Sequence, residues 1–274
     1  MRTVICHFFN EEFLLPWWLR HHALLFDHGI LIDHGSTDRS VEICREIVPD
    51  WQLVRSKLSN FDARLTDFEV MQYEYQTTGW KIALNVTEFL VPTIELWKIE
   101  NALTKHELEG CGASGIGIVD HFRREPVFNQ SLVSQYWHGY MDNKYQDIAI
   151  RSKMGLTAKP ARNRLYHCSP IGSYAPGRHT SYHPNHSYRC EELMVFHFGF
   201  APWTQLMLRR KLQIAEKVPS SDLKYGWGID HLIDEDKLEV QYQQMCKWTY
   251  DLRAYDSFSS GQKFMATKFG HKGT

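Results

Sequence analysis

Along the first half of the chain, apolar residues fall into short compact runs separated by longer amphipathic stretches. Thr3–Phe8, Gly29–Asp33, Trp51–Arg55, Trp80–Val86 and Ser114–Asp120 each predict a buried β-strand. Leu14–Phe26, Ser40–Val48, Ala63–Thr77 and Glu95–Leu108 predict helices. Asn10, Glu11 and Glu12 put acid at the start of the first helix, Thr37 and Asp38 are suited to cap the second, and Gly79 and Gly110 follow the third and fourth. Strand and helix in alternation, joined by short loops, predict an α/β fold. Its sheet is mostly parallel and sandwiched by helices. In such sheets ligands bind at the carboxyl ends of strands. That rule selects residues 8–11, 33–38, 85–88 and 120–121.

The pattern loosens in the second half. Pro160, Pro170, Pro176 and Pro184 fall among glycines, histidines and arginines, which predicts loops and short strands over one end of the sheet. Leu193–Phe200 reads as a strand, and Trp203–Lys217 and Asp234–Leu252 as helices. The tail, 256–274, reads as loosely held.

A length of 274 residues suits one large domain or a domain plus an elaboration. Lys and Arg number 31 against 32 Asp and Glu, so the basic excess of a nucleic-acid surface is missing. The six cysteines form no CxxC pair and no zinc pattern. This points to free thiols in a reducing compartment, with a Cys168–Cys190 bridge left open. The N-terminus turns acidic within twelve residues and reads as a strand, not a signal peptide. No apolar run is long enough to span a bilayer. The expected location is cytoplasmic, and peripheral membrane association is compatible with it.

The most informative stretch is Ile32–Ser40, IDHGSTDRS. A carboxylate at the end of a parallel strand can accept hydrogen bonds from a ribose or a base edge. Gly35 lets backbone approach closely, and Ser36, Thr37 and the next helix start offer donors to phosphate oxygens. An ordinary capped strand-to-helix turn would read the same way. The ordered set is more specific. It runs Asn10-Glu11-Glu12, Trp17 or Trp18, His21 or His22, Asp33-His34-Gly35-Ser36-Thr37-Asp38, then Asn85-Val86-Thr87-Glu88-Phe89. In this order the chain resembles the family 2 glycosyltransferases, which have the GT-A fold. A later segment, FHFGFAPWTQLMLRRK at 196–211, looks like the His-aromatic strand and basic helix of one subgroup.

The resemblance implies a Rossmann-like GT-A domain. Residues 1–120 would form its nucleotide-sugar-binding half, and 121–274 its acceptor-side half and C-terminal helices. It implies transfer of a sugar from a nucleotide-diphosphate donor, UDP-type favoured, to a glycan or other hydroxyl acceptor, by inversion, as in polysaccharide biosynthesis. Asp33 would contact the nucleoside, Phe8, Asn10 and Glu11 would line the base pocket, and Gly35, Ser36 and Asp38 would shape its rim.

The family's DxD-type motif holds Mn²⁺ or Mg²⁺ through carboxylates. Here Asn85 and Thr87 stand in the aspartate positions, and only Glu88 keeps a charge. Three readings follow. Glu88 and His197 bind a metal weakly; or Arg209, Arg210 or Lys211 pair with the diphosphate directly; or transfer is lost and the GT-A scaffold serves as a binding or partner subunit. Glu88 could equally be a structural carboxylate paired with an arginine. The general base that inversion requires would come from Asp120, Asp230, Glu191 or Glu192, with Glu88 a further catalytic candidate. His179, Trp203, Trp227 and Trp137 are acceptor-side candidates, although any single aromatic is more often a packing residue.

Overall fold

The structure, a computed structural model, describes residues 1–141, 163–179, 181–183, 186–225 and 232–271. Its first half alternates β1 (Arg2–Phe8), α1 (Leu15–His22), β2 (His28–Asp33), α2 (Ser40–Ile47), β3 (Gln52–Arg55), α3 (Ala63–Tyr75) and β4 (Trp80–Ala83). There follow β5 (Glu88–Pro92), α4 (Leu96–Lys105), β6 (Gly110–Val119), β7 (His138–Met141), β8 (Arg164–His167) and β9 (His186–Phe200). The C-terminal part adds α5 (Gln205–Leu212), α6 (Ser220–Lys224), α7 (Glu235–Trp248), β10 (Tyr250–Asp251) and α8 (Asp256–His271).

The strand order is β10-β7-β6-β8-β4-β1-β2-β3, with β9 pairing both β6 and β5. Strands β4, β1, β2 and β3 are mutually parallel. β8 enters antiparallel between β4 and β6, so β6 runs the same way as β4. The carboxyl ends of β1, β2 and β6 therefore share one edge of a continuous mixed sheet. This is the Rossmann-like α/β arrangement that the resemblance implied, elaborated toward the C-terminus.

Alternation along β1 sorts its side chains between two layers. Val4, Cys6 and Phe8 join the large core shared with α1 and α2. Ile5 packs on the other face with Ile30, Ile32, Ala83 and Val70 of α3. That second layer is thin in apolar residues. α3 buries Asp67, Glu69 and Glu74 beside Thr66 and Val70, so much of its inner face is ionic.

Several elements depart from the sequence pattern. The helix expected over Leu14–Phe26 ends at His22. The segment after Ala83 turns and continues as β5, antiparallel to β9 with Glu88 opposite His197. The tail expected to be loose forms α8 instead. Phe258 and Met265 of that helix are fully buried, and the Phe258 ring stacks on Phe196 at 4.8 Å. Gly261 permits the close approach, since a Cβ there would lie 2.7 Å from Val91 Cγ1. All six cysteines are free thiols, so Cys168 and Cys190 are not bridged. Among the described residues no helix is long and apolar enough to cross a membrane.

Candidate functional site

The loops leaving β1 and β2 are stitched together at the shared carboxyl edge. Asn10 takes a left-handed conformation, φ 49°, and its N–H donates to Ser36 Oγ at 2.9 Å. The Thr37 N–H donates to Asn10 Oδ1 at 2.7 Å. Asp38 accepts from the Glu12 N–H at 3.0 Å and the Ser40 N–H at 2.9 Å. Asp33 closes its own turn: Oδ1 accepts from the N–H groups of Gly35 and Ser36 at 3.1 and 2.8 Å, and Oδ2 pairs with Arg55 at 2.9 Å. Gly35 sits at φ +95°, and a Cβ there would fall 2.4 Å from the Arg55 guanidinium. Residues 35–39 stay half-exposed or exposed, apart from the strand end they leave.

The C-terminal part closes one side of this edge. Arg210 of α5 grips both oxygens of the buried Glu11. Burial pushes the Glu11 carboxyl up against the pull of Arg210. Gln213 donates to the Asn10 carbonyl at 2.7 Å, and the Phe61 N–H to the Lys217 carbonyl at 3.1 Å. The Phe61 ring stacks on His34 at 4.1 Å, with His7 5.5 Å and Phe9 5.9 Å away. His7 lies within 3.4 Å of Ser56 Oγ and Glu69 Oε2. Burial, then the neighbouring His34 and Arg178, lower its pKa to about 3.

Asn10, Glu11, Asp33, Gly35, Ser36, Asp38 and Arg210 are thus brought together. Phe8 is not among them. The strand pleat turns its ring into the core beside Cys6 and Leu31, and it is His7 that faces the aromatic cluster. Arg209 is exposed, and Lys211 lies over the Phe200 ring at 4.3 Å. Trp203 is 3% exposed, stacked on Tyr242 at 4.3 Å and bonded to Glu239 at 3.0 Å, so neither ring face is open to a sugar. His179 is half-buried beside Gly177. Asp230 and Trp227 lie outside the described residues.

The expected catalytic carboxylates are engaged by the protein itself. Asp120 accepts from the Phe122 N–H at 2.9 Å and the Trp203 N–H at 3.0 Å, one bond to each oxygen, which makes it a turn staple. Glu88 is 1% exposed. Its oxygens accept from Arg164 Nε and Nη2 at 2.7 and 2.6 Å and from the Asn85 N–H at 2.8 Å. Arg164 also donates to the Gly177 carbonyl at 2.6 Å. Its neighbour Arg178 is buried and pairs with Asp67, donating in addition to Asn85 Oδ1 at 2.9 Å. His197 stands across the ladder from Glu88 with its ring over Gly199.

The pairing of Glu88 with an arginine was one of the expectations, but that the arginine is Arg164, and that Arg178 and Asp67 adjoin it, was not anticipated. The only sequence signal for them is an arginine or a helical acid where burial is expected, and an exposed one looks identical.

No family model matches the chain, and no curated protein matches it. Solved structures do. The chain is similar to S. aureus TarS 1–349, at 12% identity and a TM-score of 0.40, covering 93% of this chain and 72% of that one. In the structure of S. aureus TarS, 46% of this chain covers 23% of that protein, at 12% identity and a TM-score of 0.31. Glucosyl-3-phosphoglycerate synthase from Mycobacterium tuberculosis, in complex with Mn²⁺, UDP and glucosyl-3-phosphoglycerate, is 14% identical with a TM-score of 0.37, covering 65% of this chain and 61% of that one. The likeness is to their overall course alone.

Proposed function

We propose that the chain is a glycosyltransferase of the family 2 type that binds a nucleotide-diphosphate sugar, UDP-type, at the edge formed by Asn10–Glu12 and Asp33–Asp38. One observation carries this reading. Two adjacent parallel strands end in loops that interlock through Asn10, Ser36, Thr37 and Asp38 and leave a half-exposed turn at their carboxyl edge. Asp33, placed under that turn, reads the ribose or base, and Arg55 is exposed enough to move aside from it. The acceptor hydroxyl oxygen bonds to the anomeric carbon as the bond to the diphosphate breaks, the nucleoside diphosphate leaves, and a carboxylate base takes the hydroxyl proton. The role of base is left to Asp230, Glu191 or Glu192, because Asp120 and Glu88 have their oxygens engaged.

That engagement also favours a second reading, in which the chain binds a nucleotide sugar without transferring it and serves as a partner subunit. A thermal-shift screen of nucleoside diphosphates tests the shared claim. A rise in Tm with UDP or GDP is expected, and no rise with any nucleotide removes both readings. Release of nucleoside diphosphate from a nucleotide sugar, with acceptor supplied, then separates enzyme from scaffold.

A further inference from the structure

The resemblance implies a divalent cation held by the segment Asn85–Glu88, and the residues there do not fit one. Mn²⁺ and Mg²⁺ need several oxygen ligands close by, ideally charged. Glu88 already accepts three hydrogen bonds, two of them from Arg164. Asn85 Oδ1 accepts from Arg178 at 2.9 Å. Asp67, the other nearby carboxylate, pairs with Arg178 and accepts from the Gly177 N–H at 2.7 Å. Thr87 offers a neutral hydroxyl, and its carbonyl accepts from the Phe198 N–H at 2.7 Å.

A cation seated here would also face two guanidinium groups. Neither can swing away cheaply. Arg164 is 1% exposed and anchored at Glu88 and the Gly177 carbonyl. Arg178 is 5% exposed and anchored at Asp67 and Asn85. Burial opposes its charge, and Asp67 and then Glu88 outweigh that opposition.

We infer that Arg164 and Arg178 stand in the place of the divalent cation, so that nucleotide binding by this chain needs no metal. The inference rests on the donor-site reading for its nucleotide arm only. Arg178 Nε is buried and has no acceptor among the described residues. It is a charged donor left over for an oxygen that those residues do not supply. Guanidinium suits this substitution because it stays protonated and presents fixed, directional N–H groups.

Two measurements on the wild-type protein test this. The electron paramagnetic resonance sextet of free Mn²⁺ should keep its amplitude when protein is added, and UDP should raise Tm equally in EDTA and in Mn²⁺. Uptake of one equivalent of Mn²⁺ that Glu88→Gln abolishes would overturn the inference. So would uptake abolished by Asn85→Ala, a change that leaves both ion pairs intact. Uptake surviving both substitutions places the metal elsewhere, and the comparison of UDP shifts in EDTA and in Mn²⁺ then decides. A UDP shift seen only with Mn²⁺ would also overturn it. If no nucleotide shifts Tm under either condition, the donor-site reading fails and the Mn²⁺ titration alone decides.

Discussion

Arg164 and Glu88 meet through two parallel hydrogen bonds, at 2.7 and 2.6 Å, with both side chains 1% exposed. β5 and β8 share no ladder, so this pair ties two strands that the sheet leaves separate. Removing one partner would leave the other charged, buried and unpaired.

Arg164→Met should therefore destabilise the protein by about 3–5 kcal/mol in urea unfolding. The double variant Arg164→Met/Glu88→Met should lose less than the two single losses combined, because no charge is stranded. Additive losses would mean that the pair is not coupled.

Asp33→Ala should abolish the rise in Tm produced by a nucleoside diphosphate. Unchanged nucleotide affinity, measured by calorimetry, would remove Asp33 from the donor site. Gly35→Ala should cost about 1–2 kcal/mol, because it forces a side chain into positive φ and presses a Cβ onto the Arg55 guanidinium.

Acid should weaken the fold through His7. Its pKa is lowered to about 3 in the folded chain, from an unperturbed 6.5. Above pH 6.5 the group is neutral in both states and has no effect. Below that the unfolded chain gains a proton the folded chain refuses, so stability falls as pH falls toward 3. At pH 5 the loss from this one group is about 2 kcal/mol. His7→Gln should flatten the dependence of unfolding free energy on pH between 7 and 5, and an unchanged slope would show that His7 does not titrate this way.

Trp203→Phe should cost about 1 kcal/mol, since the ring still stacks on Tyr242 while the bond to Glu239 is lost. Trp203→Ala should cost about 3–5 kcal/mol. In the phenylalanine variant the KM for any acceptor should stay at the wild-type value. A selective rise in acceptor KM would put the ring in contact with substrate.

The parallel half of the sheet was legible because β1, β2 and β4 carry short, mostly apolar runs bounded by turn residues, as strands buried on both faces do. β5 was obscured because Asn85-Val86-Thr87 makes its turn without glycine or proline. α8 was obscured because its buried Phe258 and Met265 are seven residues apart in a segment of serine, glycine and lysine. β8 carries Arg164 and His167 at fully buried positions, which no apolar pattern can signal. The interlocking of Asn10–Glu12 with Asp33–Asp38 was readable since these residues lie within two short loops. The arginine cluster was not, because Arg164 lies 76 residues from Glu88 and Arg178 lies 93 from Asn85. Only the folded chain brings them together.

α3 presents acids where a helix ordinarily presents hydrocarbon, and this bears on how firmly it is indexed. Asp67 receives the Gly177 N–H at 2.7 Å, and Glu74, two turns on, receives the Gly172 N–H at 2.8 Å. Greasy surfaces tolerate sliding, since one methyl contact replaces another. Two carboxylates aimed at two amides do not: a shift of one helical turn, about 5.4 Å, would unseat both at once. The segment from 168 to 178 is thus docked in a single register. Any substrate that leans on it meets a wall whose position is set by α3, not by the loop's own stiffness.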